Sequence, residues 1–251
     1  MRAIFAGFAM GAILAGGLAL AADVPAYVSA AIADKARPAE DVARDADRKP
    51  AEMLMFAGIK PGDKVVDLIP GKGYFTKIFA KAVGPTGHVY AFEPSELDPL
   101  FKKRNLPIPT GTDPNYPNVS YIHQSINDFS TPEPVDVVWT SQNYHDMHDS
   151  FMGPADMSKV NRAIFAALKP GGLYIVLDHA AQPGSGTRDT DTLHRIDPAV
   201  VKQEVLAAGF EFAGEDDALR NPNDPLTVKV FDPSIRGHTD QFIYKFRKPA
   251  H

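Results

Sequence analysis

KVVDLIPGKGYFT, residues 64–76, joins a short apolar run to a glycine turn and then to an amphipathic segment. Val65, Val66 and Leu68 stand between Gly62 and Pro70, a length and setting that predict a buried strand. From Tyr74 to Gly84 the apolar positions recur at helical spacing, and Gly84 supplies the stop. Between the two, Gly71 and Gly73 let the backbone turn tightly and come close to a ligand. In open α/β sheets ligands bind beyond the carboxyl ends of the strands, so this turn is where a nucleotide-like molecule would be held.

The same alternation continues outward. HVYAFE (88–93), VSYIHQ (119–124), VDVVWTS (135–141) and LYIVLDH (173–179) read as strands. SELDPLFKKRN (95–105) reads as a short helix, MSKVNRAIFAALKPGG (157–172) as a helix closed by Gly171 and Gly172, and DPAVVKQEVLAAGF (197–210) as a helix capped by Asp197. FEFAGE (210–215) and DQFIYKFRK (240–248) are late strands with no helix between them. LPIPTGTDPNYPN (106–118) reads as a proline-rich loop. The expected fold is α/β: a Rossmann-like, seven-stranded, mostly parallel sheet with an antiparallel last strand and helices on both faces. Glu93 ends the second strand, where an acid can accept both hydroxyls of a ribose. Thr76 stands where a dinucleotide motif has Gly or Ala, so the glycine turn alone leaves NAD and S-adenosylmethionine both open.

The C-terminal pattern of helix, strand, long excursion and last strand resembles the class I S-adenosylmethionine-dependent methyltransferases. Their first motif, an acid followed by Gly-x-Gly-x-Gly, is matched by Asp67, Gly71 and Gly73, with Ile69 in place of the first glycine and Pro70 after it. The blocks DLIPGKGYFT, NYHDMHD, LKPGG with the later DH, DTLHRID and FDPSIRGHTDQFIYKF further resemble a bacterial family known only as predicted methyltransferases, often carrying export signals. This resemblance spans essentially the whole chain after the leader. It implies S-adenosylmethionine as cofactor, held by Asp67, Pro70, Gly71, Gly73, Glu93, Ser125, Ile126 and Asn143. Asp67 would serve the amino group, Glu93 the ribose, and Ser125 with Ile126 the adenine. Asn143 and Tyr144 stand where such enzymes pack donor and acceptor. The acceptor itself is not implied.

SQNYHDMHDS (141–150) follows the fourth strand, and Asp178-His179 ends the fifth, so His145, His148, His179 and His194 are expected on one rim of the sheet. Three readings apply. In the first, which we prefer, the cluster serves methyl transfer: His145, His148 or His179 takes a proton from an acceptor hydroxyl, and Asp146 orients a histidine or the acceptor. In the second, His145 and His148 share one face and, with Asp146, Asp149, Asp178 and His179, hold a metal. In the third, the polar groups cap a turn and tie loops together. Our assignment is catalytic for His145, Asp146, His148 and His179, with no metal. His88 and His123 are expected to be structural or exposed, and Trp139 to be core. Arg44, Arg48 and Lys49 could close over a ligand carboxylate, but a solvated helix face with Asp45 and Asp47 paired to arginines is preferred.

At the other end of the chain, Arg2 is followed by an uncharged stretch to Ala22 with Ala19-Leu20-Ala21 at its end, which predicts a signal peptide over 1–21 and a periplasmic protein. Residues 22–58 are expected to form a helical segment and 59–251 the methyltransferase domain. No stable membrane insertion is expected once the leader is cut. The formal charge of −5 and the lack of a basic run argue against nucleic acid, and the absence of cysteine excludes disulfides. Three functions fit these residues: methyl transfer to a small-molecule or envelope acceptor, a non-catalytic module binding a nucleoside-like ligand, and an NAD-dependent oxidoreductase. The first is preferred.

Overall fold

The computed structural model describes residues 24–153 and 155–250, so the leader expected over 1–21 lies outside the described residues. The alternating apolar residues of residues 64–68 form β1 (Lys64–Leu68), which is buried along nearly its whole length. Val66 and Leu68 enter one core and Val65 the other, as a parallel strand covered on both faces requires. Around it lie β2 (His88–Pro94), β3 (Gly111–Asp113), β4 (Tyr116–Gln124), β5 (Val135–Ser141), β6 (Leu168–His179), β7 (Glu211–Asp216) and β8 (Gln241–Arg247). They make one sheet in the order β3-β4-β2-β1-β5-β6-β8-β7. Neighbouring strands are parallel from β4 to β6, and β8 runs antiparallel to both β6 and β7. Strand order reverses at β1, so the ligand crevice belongs above β1, β2 and β5.

The sheet has eight strands where seven were expected. The additional one, β3, pairs antiparallel with β4 at the edge and lies in the proline-rich segment read as a loop. Its prolines flank the pairing positions, and Asp113 accepts from the Asn115 amide at 2.8 Å to close the turn into β4. The Gly171-Gly172 pair also sits differently from its expected place. The helix preceding it stops at Ala167, and the glycines lie in the first residues of β6, where a side chain on Gly172 would meet the Lys169 carbonyl at 2.9 Å.

Helices cover both faces. On one, α1 (Ala26–Ile32), α2 (Ala39–Val42), α3 (Asp45–Arg48) and α4 (Pro50–Ala57) lead into β1, and α5 (Tyr74–Val83) follows it. Val28 of α1 and Met53, Leu54 and Ala57 of α4 share a core with Phe75, Ile78 and Phe79 of α5. Trp139 is fully buried there, with its ring 4.7 Å from Phe75 and 5.5 Å from Phe79. On the other face, α6 (Asp98–Lys103), α7 (Met157–Ala167), α8 (Thr190–Leu193) and α9 (Pro198–Ala207) follow β2, β5 and β6, and Val160, Ile164, Val201 and Val205 bury the inner sides of α7 and α9. Among the described residues no helix is long and apolar enough to cross a membrane.

Candidate active site

The glycine turn is built around a strained residue. Ile69 has φ of 56°, Gly71 56° and Gly73 72°. Glycine takes the left-handed region freely, whereas a β-branched side chain there costs about 1–2 kcal/mol. Asn143 holds the strain in place: its Nδ2 donates to the Ile69 carbonyl at 2.8 Å and to the Leu68 carbonyl at 3.3 Å. The Thr140 hydroxyl donates in turn to Asn143 Oδ1. The Ile69 amide donates to the Phe92 carbonyl at 2.9 Å, and the Gly73 amide to the Pro70 carbonyl at 2.9 Å. Pro70 thus shapes the turn through its backbone. A Cβ on Gly71 would meet no atom within 4 Å, because that residue faces open space. Beneath the turn, Asp67 is buried and accepts from the Thr76 hydroxyl at 2.6 Å. Burial raises its carboxyl to about 6, against the opposing pull of Thr76 and Arg48. Thr76, set apart at first for not being the glycine of a dinucleotide motif, is the partner of the motif's acid.

A cleft of about 730 Å³ opens over this turn, lined by Ile69, Gly71, Glu93, Gln142 and residues of the histidine loops. Glu93 is only 1% exposed, and its Oε2 has no hydrogen-bond partner. Burial, with the charges of Asp67 and Asp98, lifts its carboxyl to about 8. A buried, unpartnered acceptor is costly unless something fills its site. Next to it stands Glu96, which the sequence reading missed. Glu96 accepts from the Ser125 hydroxyl at 2.6 Å and from the Ile126 amide at 3.1 and 3.2 Å. Ser125 and Ile126 therefore do not line the cleft; Ile126 is core, and Glu96 presents itself in their place. Leu97, Leu100, Phe101, Leu106, Phe151, Met152 and Phe231 add apolar surface to the lining.

The histidine loops meet the cleft unevenly. A short 3₁₀ turn, His145–His148, follows β5. His145 is 2% exposed and donates its amide and Nδ1–H to the two oxygens of Asp178, each at 2.8 Å. Its Nε2 faces Asp146 Oδ1 at 3.3 Å and His194 Nδ1 at 3.3 Å. Burial disfavours charge on this ring, but Asp178 and Asp146 overcome it and hold the imidazolium up to about 10. Despite its own burial, Asp146 is drawn down to about 2 by His145 and His194. His179 ends β6 at the cleft with Nδ1 2.7 Å from the Thr239 hydroxyl. Burial, joined by the charges of His145, Arg195 and Arg48, pushes it down to about 3 and keeps the ring neutral.

Several expected positions turn away. His148 Nε2 meets Glu204 of α9 at 3.2 Å, and Tyr144 donates to the same carboxylate at 2.7 Å. With a turn of only four residues, His148 is drawn to α9 and does not share a site with His145. Asn143 and Tyr144 also lie outside the cleft lining, the first clamped to the turn and the second buried under α7 and α9. His145 is in place, but with Nδ1–H given to Asp178 and Nε2 turned to Asp146 and His194 it has no free nitrogen to take an acceptor's proton. Of the expected metal set, only His145 and Asp146 are brought together, and His194 joins them. Arg195 is fully buried and forms a two-bonded pair with Asp224, at 2.8 and 3.1 Å.

The arginine segment departs furthest from its expected solvated face. Asp45 pairs with Arg37 and accepts from the Tyr74 hydroxyl at 2.6 Å. Arg48 lies over the rings of Tyr74 and Phe75, at 4.3 and 4.7 Å, and donates to the Ser141 hydroxyl at 2.9 Å. Lys49 donates to the Ala218 carbonyl at 2.6 Å. The Arg37–Asp45 pair is local, whereas no local signal marks the contacts of Arg48 with Ser141 and of Lys49 with Ala218, which reach elements distant in sequence.

No protein-family model matches the chain. Among curated proteins it is similar to the ubiquinone/menaquinone biosynthesis C-methyltransferase UbiE of Vibrio cholerae, 28% identical over 200 residues covering 75% of this chain and 63% of that protein. UbiE of Hydrogenovibrio crunogenus is 30% identical over 199 residues, 76% of this chain and 66% of that protein. The chain thus spans just under two thirds of the length of these relatives. Among solved structures, a SAM-dependent methyltransferase from Aquifex aeolicus superposes with a TM-score of 0.53 at 18% identity, over 82% of this chain and 98% of that one. The [4+2]-cyclase SpnF gives a TM-score of 0.56 at 18% identity, over 82% of each chain. With the strand order above, these likenesses show that the chain has the class I methyltransferase fold.

Proposed function

We propose that this protein transfers a methyl group from S-adenosylmethionine to a small apolar acceptor. One observation carries the reading: the buried Glu93 carboxylate, with Oε2 unpartnered, stands in the cleft beside Gly71. That arrangement fits a ribose, whose two hydroxyls would satisfy the carboxylate while the glycine leaves room for the sulfur-bearing chain. When bound, the sulfonium would supply an electrophilic methyl, to which an acceptor's electron pair forms a bond as the carbon–sulfur pair returns to sulfur. The chain's own contribution is placement and exclusion of water. Asn143 fixes the turn, Asp67 lies under it, and the apolar walls dry the cleft.

The sequence similarity supports the same reading, since the relatives named above are methyltransferases. Their names refer to C-methylation in ubiquinone and menaquinone biosynthesis. An apolar acceptor is supported here by Leu106, Phe151 and Phe231, all large, exposed and gathered at the cleft. A non-catalytic module was attractive because Ile69 replaces a motif glycine. That ground weakens, because Ile69 adopts the left-handed conformation that a glycine would take with ease. Export, expected from the leader, remains part of this proposal.

The test is calorimetric titration of the protein with S-adenosylmethionine, followed by Glu93→Gln. Micromolar binding that falls at least tenfold in the variant supports the reading. Wild-type binding unaffected by Glu93→Gln, or no binding while NAD binds, overturns it.

A further inference from the structure

Three donor atoms meet on the acceptor side of the cleft. His145 Nε2 lies 3.3 Å from Asp146 Oδ1 and 3.3 Å from His194 Nδ1, and the last two are 3.7 Å apart. We propose that His145, Asp146 and His194 form a binding site for a divalent first-row transition ion, with an open position toward the cleft. A tetrahedral ion with bonds of roughly 2.0–2.1 Å has ligands about 3.3–3.4 Å apart, close to the sides of this triangle.

Each of the three residues offers one ligand atom to a common space, and an ion bound there displaces the proton that His145 Nε2 otherwise shares with its two neighbours. The surroundings are also those of a ligand set. Asp178, fully buried, takes the Nδ1–H of His145 and so aims Nε2 at the triangle, the carboxylate–histidine support usual behind metal-bound imidazoles. The His194 ring packs against Phe231 at 5.0 Å, which limits its swing. Two imidazole nitrogens with one carboxylate favour zinc, iron, cobalt or manganese over magnesium or calcium, which take all-oxygen sets.

All three side chains line the same cleft as Glu93. Resting on the methyl-transfer reading, the open position would take an ionisable hydroxyl of the acceptor and hold it as its anion, the hydroxyl proton passing to water in the cleft. This names the acceptor class: a phenol, enol or similar oxygen acid. It also supplies an activation that His145, whose Nδ1–H is given to Asp178, does not.

The experiment is titration of EDTA-stripped protein with Zn²⁺ and Co²⁺, reading stoichiometry by elemental analysis and coordination by the visible absorption of Co²⁺. We expect one ion per chain, micromolar or tighter, with the intense absorption of a four-coordinate cobalt site. Asp146→Asn and His194→Gln, both at partly exposed positions that should leave folding intact, should each weaken binding by at least tenfold. His148→Ala, whose ring faces Glu204, should not. Addition of catechol as a probe should shift the cobalt spectrum. Binding absent from the wild type, or unchanged by the first two variants, or lost equally with His148→Ala, overturns the site. S-adenosylmethionine titrated into the same stripped protein separates the two proposals: donor binding without metal binding defeats this inference alone, and metal binding without donor binding defeats the methyl-transfer reading and leaves the ion site standing.

Discussion

Arg48 and Ser141 are joined across the sheet's carboxyl edge, guanidinium to hydroxyl, at 2.9 Å. The bond ties α3 to the end of β5, immediately before the loop that carries Asn143 and His145. Packing over two aromatic rings makes the tie more than a single hydrogen bond. Arg48→Ala should therefore destabilise the fold by about 1–3 kcal/mol, adding one hydrogen bond and one to two cation–π contacts. Urea midpoints at constant m would show it. A change within about 0.3 kcal/mol would mean that the residue is merely surface.

Ile69 and Asn143 should be energetically coupled. Asn143→Ala removes the bonds that hold the strained turn and should cost about 2–3 kcal/mol, with weaker donor binding. Ile69→Gly removes the strain but also a partly buried side chain, so its own effect should be within about 1 kcal/mol of zero. In the double variant Ile69→Gly should restore part of the loss, because glycine needs no clamp. Additive losses in the cycle would count against this picture.

Glu93 gives a pH dependence with a definite sign. Its carboxyl is raised from 4.5 to about 8 in the folded protein, so over that interval the folded state holds a proton that the unfolded state has lost. Stability contributed by this group should fall as pH rises from about 4.5 to 8 and then level off, since stability declines wherever the native state binds more protons. Donor affinity should move the opposite way, rising as pH passes through about 8, because the carboxylate is the better acceptor for ribose hydroxyls. Glu93→Gln should flatten both curves. Thermal midpoints and calorimetric Kd values between pH 6 and 9 would test the pair of slopes together.

Gly71→Val should abolish donor binding without an equal loss of fold. The position opens into the cleft, so the new side chain would occupy ligand space, although the left-handed backbone adds a strain of about 1–2 kcal/mol. Loss of binding by at least a hundredfold with a cooperative unfolding transition is the expected result. Unchanged donor affinity would mean that the turn is not the cradle.

Asp178→Asn should be among the most damaging single changes at the site. It takes a fully buried carboxylate from a buried imidazolium and should cost about 3–5 kcal/mol. A loss under 1 kcal/mol by chemical denaturation would show that His145 is not charged in the folded protein.

The sequence revealed most of the frame and less of the site. Strands β1, β2, β4, β5 and β6 announce themselves by apolar runs bounded by turn residues, and each parallel pair needs only that pattern plus a covering helix. Strand β3 escaped because its three residues lie among prolines and depend on β4 for their definition. Gly71 and Glu93 were placed at the carboxyl edge by local spacing and Asp67 by the resemblance of its turn to a known motif, because the ends of strands fix a residue's height above the sheet. Ser125, Ile126, Asn143 and Tyr144 were placed at the right height, but nothing in the chain showed which way they point. Glu96 claims the amide of Ile126, and Glu204 claims both Tyr144 and His148. Each of these partners comes from a different element, so the pairing exists only once tertiary packing brings them together. The same holds for His194, whose part beside His145 depends on the left-handed φ of 54° at its own backbone.

The Arg195–Asp224 pair has a consequence for how this protein could change its acceptor. Arg195 also donates to the carbonyls of Ala180 and Val228, and Arg220 engages Asp240, so the long excursion before β8 is riveted to the sheet at both ends. Val230 and Phe231 ride on that riveted segment, far in sequence from Gly71 and Glu93 at the other end of the cleft lining's sequence order. Such a wall acts as a fixed jaw. On the methyl-transfer proposal, its teeth could be exchanged to suit a new molecule while the half proposed to grip the methyl source stays as it is.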